Sequence, residues 1–97
     1  MKAYAIKPGE SGKMIEIENT LEALQGFVGG YVETVYICED LVVICNEEGR
    51  IRNMDYCCEI CGVMFYGPIL ICGEEKRMML TDIPLDEQEV KEYLGVE

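Results

Sequence analysis

Cys57, Cys58 and Cys61 stand together in "DYCCEIC", and their types and spacing raise metal chemistry first. Two thiolates spaced C-x-x-C can share one Zn²⁺ at roughly 2.3 Å, but a closed structural site takes four such donors. The chain has no histidine, and its other three cysteines, Cys38, Cys45 and Cys72, lie among valines and isoleucines. In such strands a thiol behaves as a small apolar group. The alternative function this segment supports is therefore a small-molecule- or metal-binding regulator. A redox use of Cys58-x-x-Cys61 is weaker, because such pairs work in a βαβ setting with a helix N-terminus lowering the thiol pKa.

The carboxylates form no catalytic set. Glu47 and Glu48 are neighbours in "NEEG", and in an extended backbone they point to opposite faces, whereas a general acid and base must converge on one substrate. Glu33 alternates with Tyr31, Val35 and Ile37, which places it on a partly apolar face or at an exposed strand end. No Ser-His-Asp set, P-loop, dinucleotide fingerprint or calcium loop occurs, so neither an enzymatic activity nor a cofactor is expected. Gly29 and Gly30 fall between a run with helical spacing and a run with strand spacing. The order helix then strand presents carbonyls rather than amides, so the pair is read as a turn and not as an anion cradle.

Nineteen acidic against eight basic residues in 97 leave a net charge of −11, which repels phosphate backbones and excludes direct nucleic-acid binding. The partner this charge suits is a protein, itself basic or nucleic-acid-binding. Between Asp82 and Glu97 six acids stand against the single base Lys91. Within that segment Glu87 and Glu92 are the candidate partner-binding residues. The N-terminal "MKAYAIKPGE" lacks the apolar core of a signal peptide, and no apolar run reaches membrane-spanning length. A cytoplasmic chain with reduced thiols and no membrane association is expected.

These residues have to be positioned by short elements. Lys2 to Lys7 and Met14 to Glu18 read as strands, the first closed by Pro8-Gly9. Asn19 is placed to cap a helix in which Leu21, Leu24 and Val28 share a face, and Gly29 to end it. Tyr31 to Cys38 and Leu41 to Asn46 form a hairpin about Glu39-Asp40, and "NEEGR" is a further turn. Residues 50–61 carry no assignment. Gly62 to Cys72 reads as one strand with a bulge or edge at Gly67-Pro68, followed by a polar turn from Gly73 to Lys76 and a short strand at Met78 to Leu80. A final helix has Asp86 and Glu89 as a capping pair, Val90, Tyr93 and Leu94 on its apolar side, and Gly95 at its end. The expected architecture is one α+β domain over residues 1–97, a mainly antiparallel sheet of about five strands packed on one face against two short helices. Its core comprises Ile6, Ile17, Leu21, Leu24, Val28, Val35, Val43, Ile69, Ile71, Val90 and Leu94.

The order of "TLEALQGFVGGYVETVYI", "VVICNEEGRI", "GPILICG" and "LDEQEVKEYL" resembles the bacterial and phage family known as domain of unknown function 3846. Its pattern lands on Gly29, Gly30, Tyr31 and Glu33, and again on Asn46, Glu47, Glu48 and Gly49. Between Arg52 and Gly62 the family's longer Leu-Pro-x-Asn segment is replaced by "NMDYCCEIC". The resemblance implies a phage, plasmid or conjugative-element setting, sometimes beside antirestriction-type domains, and implies no activity. Together with the charge it points to a small non-catalytic interaction module, of antirestriction or anti-defence type, that binds a protein.

Overall fold

A computed structural model describes the chain apart from Glu39, Lys76, Arg77, Met78 and Glu97, and the side chain of Glu75. The expectations placed on Glu39, Lys76, Met78 and Glu97 lie outside the described residues. Among those described, the elements run β1 Lys2–Ile6, β2 Lys13–Glu16, α1 Leu21–Val28, β3 Val32–Cys38, β4 Leu41–Asn46, β5 Tyr56–Ile60, β6 Val63–Tyr66, β7 Ile69–Glu75, β8 Met79–Thr81 and α2 Glu87–Leu94. The fold is α+β, with one six-stranded antiparallel sheet in the order β2-β1-β7-β4-β3 and β8 joined to β7. A separate hairpin, β5-β6, completes it.

The middle strands are apolar at nearly every position because both of their faces are covered. In β4, Leu41, Val43 and Cys45 enter one core with Ile69 and Ile71 of β7 and Tyr4 and Ile6 of β1. The intervening Val42, Ile44, Leu70, Cys72, Ala3 and Ala5 enter a second core on the opposite face. The two helices consequently lie on opposite sides rather than on one. Leu24 and Val28 of α1 close the second core, and Val90 and Leu94 of α2 close the first, together with Ile60 and Phe65 of the separate hairpin. Each helix has eight residues, too few to persist alone, so burying its pair of apolar side chains, at roughly 1.5–3 kcal/mol apiece, is what holds it.

Several details differ from the sequence expectation. Gly67-Pro68 does not bulge one strand but separates two that belong to different sheets, and Gly67 has φ +81 at the break. The stretch beginning at Gly73 is not a turn: β7 continues to Glu75, pairing Gly73 with both Leu41 and Thr81, because β8 comes alongside where β1 stops. Thr20, not Asn19, caps α1, its hydroxyl accepting from Ala23 N at 3.2 Å, while Asn19 donates to Leu80 O. Leu21 then becomes the first helical residue and is 59% exposed, outside the core. Tyr93 likewise turns outward at 63% exposure, and Ile17 and Val35 are half-buried at the margins. The other expected core residues are buried.

Candidate functional site

The motif residues meet at the C-terminal end of α1. Gly29 takes φ +80 and its N–H bonds Gln25 O at 2.9 Å, with Gly30 N reaching the same carbonyl at 3.2 Å. Only the first glycine needs the left-handed region. Gly30 is required by proximity, since a Cβ there would stand 2.9 Å from Asn46 Nδ2. Asn46 is the buried polar residue of this junction, 6% exposed. Its Nδ2 donates to Val28 O at 3.1 Å and its Oδ1 accepts from Glu48 N at 2.7 Å. One side chain thus satisfies a carbonyl that the end of the helix leaves open and shapes the turn after β4. Glu47 N donates to Tyr31 O at 2.8 Å, and Gly49 lies where a Cβ would be 2.6 Å from Tyr66 O.

The motif carboxylates face away from this knot. Glu48 pairs with Arg52 at 3.4 Å on the surface, and Tyr31 is 66% exposed. Glu33 is exposed on β3, which settles it as a surface acid, and it sits with Glu47 beside a crevice of about 130 Å³ between β3 and β6. The Cys45 thiol points at Glu33, 3.7 Å from its carbonyl oxygen and 3.9 Å from Oε1. Burial, reinforced by the Glu33 charge, pushes that thiol up to about 12, so it stays protonated at neutral pH. Cys72 is pushed up to about 12 by burial and then by Glu74.

Acidic residues gather again around α2. Asp86 and Glu89 close a capping box, Asp86 Oδ1 accepting from Glu89 N at 2.8 Å and Glu89 Oε1 from Asp86 N at 3.0 Å. Glu92 accepts from Gln88 at 2.9 Å. Glu87 makes no ion pair among the described residues. It borders a groove of about 500 Å³ whose apolar lining is Met14, Ile15, Ile83, Pro84 and Leu85 and whose rim carries Glu16, Asp86 and Glu87, with Lys2 the one base. Leu85 also lines a neighbouring hollow with Glu89, Glu92 and Tyr93, so Glu87 and Glu92 flank one continuous strip. Sequence reading found the acids and missed the groove. The signal was Leu85 immediately before the cap and Val90 four residues into the helix, the spacing at which an apolar pair staples a helix start.

The cysteine cluster divides. Cys61 and Gly62, with φ +50 and +82, make the two-residue turn of the β5-β6 hairpin, and Cys61 is exposed there. The described residues contain no group of three or more ligating side chains that could hold a metal ion. Cys57 and Cys58 instead border a cavity of about 510 Å³ with Ile6, Glu10, Ser11, Tyr56 and Glu59. No described helix is long and apolar enough to cross a membrane.

Residues 1–95 match the family described as Domain of unknown function (DUF3846), and the chain belongs to it. No curated protein and no solved structure matches the chain.

Proposed function

We propose that this chain is a small non-catalytic interaction module that takes a basic segment of a partner protein into the groove beside α2. The observation that supports it most directly is the pairing of an apolar floor, Met14, Ile83, Pro84 and Leu85, with a rim of Glu16, Asp86 and Glu87. An apolar side chain of the partner would fill the floor, and flanking lysines or arginines would meet the rim. A net charge of −11 adds a long-range field that speeds the approach of a basic partner and opposes nucleic acid. Folding alone does not call for carboxylates at 87 and 92, because the capping box already uses Asp86 and Glu89. In the mobile-element setting that the family resemblance implies, the partner class is a host defence protein against which the acidic rim imitates nucleic-acid charge.

The test uses fluorescent peptides in which one leucine or phenylalanine is flanked by lysines, with glutamine-flanked versions as controls, and reads anisotropy at low and high salt. Lysine-flanked peptides should bind the wild type, weaken as salt shortens the Debye length below ~8 Å, and weaken further with Glu16→Gln and Glu87→Gln together. Equal binding of the glutamine-flanked set would reject the proposal.

A further inference from the structure

In a regular strand Cys57 and Cys58 would point to opposite faces of β5. They do not, because the register against β6 slips between Tyr56 and Cys58: Tyr56 pairs with Tyr66, and Cys58 already pairs with Phe65. Two residues of β5 therefore oppose one step of β6, which is a β-bulge. Both thiols end up half-buried against the core that contains Ile60 and Phe65, and both border the same cavity of about 510 Å³. The Cys57 thiol donates to Ile6 O at 3.6 Å, tying the bulge to β1.

The two neighbouring thiols also act on each other. The Cys58 thiol, with burial behind it, raises the pKa of Cys57. The neighbouring Cys57 thiol lowers that of Cys58, burial opposing. The result is two neighbouring sulfurs of unequal acidity on one face of the bulge. Cys61 is three residues on in the turn, roughly 10 Å away along an extended strand, so the C-x-x-C spacing is not the reactive pair.

We propose that Cys57 and Cys58 form a dithiol site for an uncharged trivalent metalloid, an arsenic(III) hydroxide or its monoorganic derivative. A pyramidal centre accepts two adjacent sulfurs on one side, and its third substituent would occupy the cavity. Glu10 and Glu59 in the cavity wall disfavour anionic reagents such as oxidised glutathione and leave a neutral electrophile the better ligand. For R–As(OH)₂ the Cys58 thiolate attacks arsenic and displaces hydroxide, which takes the Cys57 proton. The Cys57 thiolate so formed displaces the second hydroxide, which takes the proton Cys58 had released to solvent. Two S–H and two As–O bonds break, two As–S bonds form, two waters leave, and arsenic stays trivalent.

Phenylarsine oxide, hydrated to the dihydroxide, is the probe, with intact-mass detection. The wild type should take one phenylarsenic group per chain, keep it against excess monothiol and release it to a dithiol such as dimercaptopropanol. Closing the second As–S bond within one chain should hold the adduct about 10²-fold tighter than a single thiol does. Cys57→Ser and Cys58→Ser should each lose that advantage, and Cys61→Ser should retain it. Because a bulge variant can lose its fold, a second readout uses the wild type alone: the adduct should protect Cys57 and Cys58 from maleimide alkylation and leave Cys61 reactive. Loss of retention in Cys61→Ser, protection of any other pair, or an adduct that monothiol removes would overturn the proposal.

Discussion

At the C-terminal end of α1 the backbone groups and the asparagine of the motif are engaged inward. Asn46 holds Val28 O and Glu48 N, Gly29 and Gly30 share Gln25 O, and Glu47 N closes onto Tyr31 O. At the N-terminal end of α2 the cap is just as complete, yet Glu87 and Glu92 remain on the surface beside an apolar strip. The glycines and Asn46 at the end of α1 thus build the molecule, whereas the carboxylates free to meet another molecule lie on α2. A motif of glycines, an asparagine and a tight turn is conspicuous because backbone geometry tolerates few substitutes. A docking rim needs only charge and an apolar neighbour.

The sharpest way to break this contrast is Asn46→Leu. It strands Val28 O and Glu48 N in a buried site, and the loss should be about 3 kcal/mol in urea unfolding. A loss under about 1 kcal/mol would mean that Asn46 does not hold the junction together. Gly29→Val should cost about 2 kcal/mol, because a β-branched residue is strained at φ +80 even though Met54 leaves room for the side chain. An unchanged melting temperature would contradict the left-handed cap.

Next comes the Cys45 thiol. Cys45→Val should be nearly neutral and Cys45→Ser worse by about 1 kcal/mol, since the serine buries a hydroxyl. The pH dependence follows from the same burial. Cys45 and Cys72 are pushed up to about 12, above the ordinary thiol near 9. Their contribution is whole below about 9 and is lost as pH rises toward 12, because the unfolded thiols ionise there and the folded ones do not. Urea titrations of wild type and of Cys45→Val with Cys72→Val should therefore diverge only above pH ~9, the wild type falling faster.

The smallest stability effect belongs to α2. Glu87→Gln with Glu92→Gln should shift unfolding by less than about 0.5 kcal/mol, in either direction, while weakening capture of the lysine-flanked peptides. A large loss of stability would place these carboxylates among the builders and erase the contrast.

What the sequence revealed followed how local the cause was. The Asp86-Glu89 cap, the Gly29 and Gly95 stops and β4 were legible because each depends on residues within a few positions of one another. Leu21 and Tyr93 were misplaced because each eight-residue helix buries only two side chains, Leu24 and Val28 or Val90 and Leu94, and leaves the first turn or the flank of that narrow face in solvent. β5 was unreadable because its bulge breaks the alternation that identifies a strand. The extension of β7 through Gly73 to Glu75 was hidden because β4 and β8, distant in sequence, supply its hydrogen bonds. For the site, charge was visible and shape was not: the groove forms where β2 meets the approach to α2, some seventy positions later.

β7 has a consequence for how the chain is made. It sits between β1 and β4 and also carries β8, so the sheet has no centre until residues 69–75 exist. During synthesis the earlier strands can pair only as the hairpins β1-β2 and β3-β4, each apolar on both sides and without its neighbour. A ribosome paused before Ile69 would therefore hold a nascent chain with open, sticky strand edges, dependent on chaperones until translation resumes.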